Sequence, residues 1–481
     1  MDKSPNLLTK LYDWLDERTG IKSLMHEALD EPIRGGARFA YVFGSVLLAL
    51  FLLQVLTGGF LTMYYVPSAD HAHASVSYIQ KAVPGGDFLR GIHHYGATVM
   101  VIVAVLHISQ TFLFGAYKKK RELIWVSGGV MLLLILGFAF TGYLLAWDQA
   151  AYFGTKVGTS IAGEIPLVGP VQQRIMLGGY DLTTLTLSRF FTTHVFLLPL
   201  GLAGLAGLHL LMFRKAGPAG PFHHRDDQKV ELFFPNQVFK DTVAIAIVFA
   251  VMVFLAIKVP AELGPEADPT SDYLARPPWY FMPLFQLLKY FPGRLAIIPT
   301  VLLPAVIFGL LFLLPFFDRR EERHPLKRPF AVFSLILILA GASGLIGLAK
   351  YQDRHNPEVN KKLQAQEEEM RDYFNAPFVP QQIGNAPPKK VELAGPVADP
   401  PPAYVEGCAD CHGAKGEGDS GPHLIGVVGK PRRAKNDLMK ILVNSREYGL
   451  KKPMPKAFPD ISDEDKQKIV DWLESLKAKA N

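Results

Sequence analysis

Seven long apolar runs constrain this chain more than any other feature. They lie near residues 39–66, 93–115, 124–147, 192–213, 240–259, 296–317 and 330–349. A helical crossing of a bilayer core needs about 20 apolar residues, which these runs supply. A backbone in lipid must satisfy its own hydrogen bonds, so such spans are helices. The expected fold is all-α, built on a seven-span transmembrane helical bundle, with membrane lipids as its first partner. No cleavable signal peptide is expected ahead of the first run. Residues 1–37, with "NLLTKLYDWLDERTGIKSLMHEAL", read as an amphipathic helix on a membrane surface, an ordinary soluble helix being the alternative.

The formal charge of +6 sits largely in loops, so nucleic acid is not an expected partner. "YKKKRE" (117–122), "FRKAGPAGPFHHRDDQK" (213–229) and "DRREERHPLKR" (318–328) follow the second, fourth and sixth runs. Positive-inside bias places these loops and the N-terminus in the cytoplasm, and the C-terminus on the opposite side.

Spans two and four carry paired histidines. His93 and His107 are 14 residues apart; His194 and His209 are 15 apart. Fourteen residues make nearly four turns, so both imidazoles share one face, about 21 Å apart along the axis. The two spans run in the same direction. His93 then meets His194 near the outer surface, and His107 meets His209 near the inner one. Each meeting offers two neutral imidazoles to one iron, and a flat haem between helices suits that ligation. Interior histidines that only satisfy hydrogen bonds are the alternative, but ionisable groups inside a membrane are costly and seldom idle. His94 points about 100° away from His93 and is read as a non-ligand. Gly44 and Gly58 on span one, and Gly128 and Gly142 on span three, repeat the 14-residue period. They would let two rings pack on bare backbone, with plain helix–helix contact as the alternative. Arg90 and Arg189, just ahead of His93 and His194, are placed either to pair with haem propionates or to snorkel to the interface.

Over roughly residues 38–350 the sequence resembles cytochrome b of the quinol:cytochrome c oxidoreductase (cytochrome bc) complexes. "KKKRELIWVSGG", "TGYLLAWDQ", "TLSRFFTTHVFLLPL" and "FRKAGPAGP" are similar to its chloroplast and cyanobacterial branch, as is the 15-residue histidine spacing. The last three spans resemble the C-terminal half, which is a separate subunit in that branch and is fused here. The resemblance implies two non-covalent b haems, an outer quinol site that includes Tyr143, and an inner quinone site. In that branch a cysteine matching Val42 binds an extra haem. The membrane domain here has no cysteine, so no covalent third haem is expected in it. "FFPNQVFKD" resembles the mitochondrial pattern and puts Lys240 and Asp241 at the inner quinone site, a solvated charge pair being the alternative. The family's outer motif is Pro-Glu-Trp-Tyr, but here it reads Pro277, Pro278, Trp279 and Tyr280. Proline cannot take a quinol proton. Either another group does so, such as Glu262, Glu266, Asp268, Asp272, Asp148 or ordered water, or activity is reduced.

Beyond span seven, residues 351–375 are charged with a helical pattern, and 376–403 are proline-rich and aperiodic, as a semi-rigid tether would be. The chain's two cysteines then lie in "CADCH", a c-type haem attachment signal. Cys408 and Cys411 would form thioethers, with His412 as proximal ligand. A zinc site would need a second cysteine pair. The segment resembles small monohaem cytochromes c. Met454, braced by prolines in "KKPMPKAF", is the expected sixth ligand, while Met439 in "NDLMKILV" is expected in the core.

The expected organisation is a surface segment (1–37), a four-helix di-haem domain (38–216), a three-helix domain (217–350), a charged then proline-rich tether (351–404) and a small helical cytochrome c domain (405–481). The expected function is quinol oxidation in a bacterial cytoplasmic membrane, with the cytochrome c domain on the periplasmic side. One electron would cross two b haems to quinone, and one would reach haem c through a Rieske iron–sulfur partner. Protons would be translocated in the process. A downstream periplasmic cytochrome c or oxidase and a homodimeric complex are also implied. The alternatives are a di-haem anchor that links a dehydrogenase to quinone, and a scaffold whose outer site has decayed.

Overall fold

The computed structural model describes residues 7–219, 230–378, 398–417, 424–428, 434–443 and 461–476. All seven apolar runs are helices: Phe43–Thr62, Gly86–Leu113, Glu122–Leu144, Thr184–Ala216, Phe233–Lys258, Gly293–Phe317 and Pro329–His355. Their outward side chains stay uncovered. Leu56, Phe254, Leu310 and Phe333 are 57–64% exposed. In water such a surface would drive association; in a bilayer it faces the lipid solvent. Several helices run past their apolar windows, because polar turns at the interface continue them. Span two begins at Gly86, with Asp87 in its first turn, where a carboxylate favours the helix N-terminus.

Spans four and six each contain a π-helical turn beside a proline, Thr193–Leu197 before Pro199 and Ile298–Leu302 around Pro299, while span five opens with a kink at Phe234, where the backbone is extended (φ −97°, ψ 133°). In an α-helix the ring of Pro199 would crowd the carbonyl of Val195; a wider turn relieves that crowding.

The membrane core lies between spans one to five. Val46, Leu50, Met100, Val101, Ile135, Ala139, Leu202, Met252 and Ala256 are all buried there. Spans two and five meet almost backbone to backbone, since a Cβ on Gly91 would stand 3.0 Å from that of Ala256. At the end of the bundle that carries His107 and His209, the loops after spans two and six lock together around Asp318. Its carboxylate accepts from Tyr117 Oη (2.6 Å), Lys118 Nζ (3.0 Å) and Arg328 Nη2 (3.1 Å).

The N-terminal segment is two helices rather than one. Gly20, at φ 64°, separates Leu7–Thr19 from Ile21–Leu29. That left-handed conformation suits glycine and breaks the helix. A short strand, Pro32–Arg34, then pairs antiparallel with Val230–Leu232.

At the His93 end, short helices Ala72–Lys81, Gln149–Gly163 and Gly169–Leu177 cover the bundle. The charged stretch after span seven is the helix Pro357–Asn375, capped by Asn356 Oδ1 on the N–H groups of Glu358 and Val359. It belongs to the compact unit of the spans, which runs through Phe378.

The C-terminal unit has its own core. Helices Pro402–Gly407, Ala409–His412, Lys435–Val443 and Asp463–Ser475 bring together Tyr404, Cys408, Ile425, Leu438, Ile469 and Trp472. Tyr404 Oη donates to the carbonyl of Gly413 (2.9 Å), and its ring lies 4.4 Å from that of Trp472.

Candidate functional site

The four histidines and the four period-14 glycines meet one to one. A Cβ built on Gly58 would lie 3.1 Å from His93 Cε1, and one on Gly142 would lie 2.6 Å from His194 Cε1. The corresponding distances are 3.6 Å for Gly128 to His209 and 3.9 Å for Gly44 to His107. The imidazole rings of His93 and His194 meet edge-on, their centroids 6.3 Å apart at 75°. His107 has His209 as its electrostatic neighbour. The two pairs are those expected from the spacing.

The extra residue between His194 and His209 is absorbed by the π turn Thr193–Leu197, where Leu198 N–H reaches back to the carbonyl of Thr193. Fifteen α-helical residues would rotate the second imidazole about 100° further than fourteen. One π turn takes up the difference, so both spans present their histidines in the same phase. The spacing alone did not show this.

Hydroxyl groups fix the tautomer of three of the four rings. Thr57 Oγ1 donates to the carbonyl of Leu53 (2.8 Å) and stands 2.9 Å from His93 Nδ1. Ser127 Oγ donates to Ile124 (2.9 Å) and stands 2.9 Å from His209 Nδ1. Thr141 Oγ1 donates to Gly137 (2.8 Å) and stands 3.0 Å from His194 Nδ1. A hydroxyl has one proton. Once that proton is given to a carbonyl, the oxygen accepts from Nδ1–H, and Nε2 is left with its lone pair. That is the nitrogen and the state a haem iron needs. Each of these hydroxyls directly precedes its glycine, as Thr57-Gly58, Ser127-Gly128 and Thr141-Gly142. At the fourth position Phe43 precedes Gly44, and His107 Nδ1 is buried without a partner. Sequence reading passed over this hydroxyl–glycine repeat, although it was visible there. The donor set and the bare backbone beside it fit two bis-histidine haems.

The expected propionate partners are otherwise engaged. Arg90 donates to Gln80 Oε1 (2.7 Å) and to the carbonyls of Ala261 (2.7 Å) and Glu262 (2.8 Å). Arg189 donates to the carbonyl of Ile175. Arg90 ties down a loop and Arg189 the last turn of the helix Gly169–Leu177, both at the His93 end and neither through a bond to the histidines. The snorkelling alternative also does not describe Arg90, whose guanidinium is committed to protein.

At the expected inner quinone position Asp241 is 6% exposed, not solvated. It accepts from Ser45 Oγ and Gln237 Nε2, both at 2.8 Å. Lys240 is half-buried, with Nζ 5.9 Å from the Phe39 ring.

At the opposite end, Trp279 and Tyr280 pack edge to face at 5.4 Å, and Tyr280 meets Phe281 at 4.8 Å. Burial pushes the Tyr280 phenol up to about 12, so at neutral pH it is a hydrogen-bond donor. Tyr143 has Asp148, Tyr273 and Tyr280 as electrostatic neighbours. Of the five candidate carboxylates, Asp148 is buried, Asp268 is half-buried, and Glu262, Glu266 and Asp272 are exposed. Asp148 caps the helix Gln149–Gly163 by accepting from Ala151 N–H (2.8 Å), and its second oxygen accepts from Gly264 N–H (3.1 Å). It is thus the carboxylate that joins span three to the loop ahead of the Pro277–Tyr280 motif.

In the C-terminal unit, Cys408 is buried and His412 follows one turn later, its N–H bonded to the Cys408 carbonyl (2.9 Å). Met439 packs against the core there, as expected. The side chain of Cys411 and all of Met454 lie outside the described residues.

Comparison with known proteins places the chain in a family. The family model for cytochrome b/b6/petB matches residues 29–217, that for cytochrome b(C-terminal)/b6/petD matches 267–359, and that for cytochrome c matches 402–477. The menaquinol:cytochrome c reductase cytochrome b subunit of Geobacillus thermodenitrificans is 43% identical over 223 residues, covering 45% of this chain and all of that protein. The cytochrome bc complex cytochrome b subunit of Chlorobaculum thiosulfatiphilum is 36% identical over 336 residues, covering 68% of this chain and 77% of that one. A solved structure described as a hyperthermophilic respiratory Complex III matches with a TM-score of 0.64 at 28% identity, covering 75% of this chain and 96% of that one. The chain belongs to the cytochrome b family, as the cytochrome b of a bc-type quinol:cytochrome c reductase complex, with both halves of cytochrome b and a cytochrome c domain in one polypeptide.

Proposed function

We propose that this subunit oxidises quinol at its His93 end, on the periplasmic face of a bacterial cytoplasmic membrane, and splits the two electrons. The observation that carries this reading is the set of two histidine pairs on spans two and four, with hydroxyls leaving Nε2 free on three of the rings. Two non-covalent b haems held by these pairs, and a c haem held by Cys408, Cys411, His412 and Met454, would supply the one-electron transfers. With them bound, one electron would pass inward to quinone and the other would reach the cytochrome c domain by way of a Rieske iron–sulfur partner.

The chain's own residues handle the protons and the quinol. Tyr280 and Tyr143 orient the quinol by donating hydrogen bonds, beside Trp279. Asp148 takes the proton that the family's glutamate would take and that Pro278 cannot, which fits its burial and its place beside Tyr143. At the other end Asp241, with Lys240 nearby, delivers a proton to quinone. Protons are thereby released outside and taken up inside. The loop charges support the orientation, and a homodimeric complex handing electrons to a periplasmic cytochrome c or oxidase is part of the same reading.

The test is to purify the chain with its partners, look for the electron paramagnetic resonance signal of a Rieske centre, and measure inhibitor-sensitive quinol:cytochrome c turnover. Both are expected. Quinol-reducible haem b without a Rieske signal would favour the di-haem anchor instead.

A further inference from the structure

The cytochrome b family model ends at residue 359, but the helix after span seven continues to Asn375 and packs on the outer helix Ala72–Lys81. One face of that outer helix receives it. The Tyr373 ring lies 5.2 Å from the His73 ring, and its hydroxyl donates to Ser77 Oγ (3.1 Å). Lys81 Nζ donates to the carbonyls of Tyr373 (2.5 Å) and Ala376 (2.9 Å). Phe378 meets Tyr78 edge-on at 5.4 Å. His73 is 3% exposed, and its Nε2 lies 2.8 Å from the carbonyl of Gly264, to which it donates. The N–H of the same Gly264 donates to Asp148 Oδ2 (3.1 Å). Tyr373, His73, Gly264 and Asp148 thus form a continuous chain of contacts from the extension to the quinol site.

We infer that His73 is a positioning residue for quinol oxidation, holding the loop at Gly264 against Asp148, and that Tyr373 fixes the His73 ring from behind. The inference rests on the reading that this end oxidises quinol. The stretch leading to the cytochrome c domain is then part of what shapes the quinol site. A carbonyl pinned on one side and an N–H pinned on the other leave the loop one position relative to the carboxylate. Arg90 and the pairing of Pro265 and Ala267 with Gln149 and Trp147 hold the rest of the loop, so losing the His73 bond loosens the Gly264 peptide itself, and in catalysis a misplacement of about 1 Å is felt.

The test uses the full chain in its complex, with His73→Leu, His73→Gln and Tyr373→Ala. His73→Leu and Tyr373→Ala should lower kcat for quinol oxidation about tenfold and leave the KM for quinol nearly unchanged, with b-haem content and reduced spectra unchanged. His73→Gln keeps an N–H donor and should recover most of the loss. A wild-type kcat in His73→Leu overturns the inference, as does a Gln variant no better than Leu. If His73→Leu does not assemble, a wild-type kcat in Tyr373→Ala, whose side chain is half-buried, overturns it equally. The underlying reading fails in a different way: the unmodified complex would then show no inhibitor-sensitive quinol oxidation at all.

Discussion

Replacing Gly142 by alanine tests the haem site through one methyl group. The new Cβ would stand 2.6 Å from His194 Cε1 and 3.2 Å from both ring nitrogens. To reach ordinary contact the imidazole must retreat by roughly 0.8 Å. It cannot do so and keep its 3.0 Å bond to Thr141, the residue next to the substitution. Overpacking of this kind costs about 1–3 kcal/mol, and the lost hydrogen bond about 1 kcal/mol more. Together that is roughly a 30- to 700-fold loss of haem affinity at the His194 position. Gly44→Ala is the matched control, because its Cβ would lie 3.9 Å from His107, an ordinary contact. Pyridine haemochrome spectra and redox titration of the purified complex measure the outcome. Gly142→Ala should lose the His93/His194 haem and keep the other, Gly58→Ala should be intermediate, and Gly44→Ala should keep both. Full haem content in Gly142→Ala, or equal loss in Gly44→Ala, would refute the one-to-one pairing of glycine and histidine.

Four further outcomes are expected. The unmodified chain should carry b and c haem in a ratio of two to one, and His194→Ala should remove or destabilise one b haem and leave haem c intact. Protease supplied from the periplasmic side should release a soluble haem-c fragment by cutting in the proline-rich stretch between Ala376 and Ala403, whereas protection in intact spheroplasts would contradict the orientation. Asp318→Ala removes the counter-charge of Lys118 and Arg328, whose side chains are 4% and 8% exposed and keep only neutral partners such as the carbonyls of Arg320 and Phe112. It should destabilise the solubilised protein by about 3–5 kcal/mol, and by more than Lys118→Ala, which leaves Asp318 with Tyr117 and Arg328. Burial lowers the pKa of His73 from 6.5 and Lys81 lowers it further, outweighing its bond to Gly264 and the nearby Asp148 and Glu266, while Tyr373 covers its ring. Below pH 6.5 the unfolded chain takes up a proton that the folded one refuses, so stability falls as pH drops toward the lowered value. Thermal unfolding at pH 7.5 and 5.5 measures this, and His73→Gln should flatten the slope.

The membrane helices and the histidine pairs were legible because lipid imposes one rule on every residue of a span. Apolar length shows the helix, and a costly imidazole inside it shows the site. Gly44, Gly58, Gly128 and Gly142 were legible through their period. What was not legible depends on contacts between residues far apart in sequence. Asp148 was one of five equivalent acids until Gly264, 116 positions away, accounted for one of its oxygens. Tyr373 lay in a stretch of charged residues that read as the start of a tether, and its partner Ser77 lies 296 positions earlier. Arg90 was read against a propionate, but loop carbonyls carry no sequence signal and they claim its guanidinium. The break at Gly20 is a different case. Its signal was local and was overridden by the amphipathic pattern on both sides.

The π turn in span four has a consequence for how this sequence can change. A membrane helix ordinarily cannot gain or lose one residue, because everything beyond the change swings round by about 100°. Here the wide turn at Thr193–Leu197 already stores one residue, and Pro199 holds that turn open. Deleting a residue from Val195–Leu197 while replacing Pro199 by leucine would convert the turn to α-helix and leave His194 and His209 in register at 14. Neither change alone would do so. Two sequences that differ by a single-residue gap in the middle of a lipid-embedded helix can therefore present their histidines in the same phase.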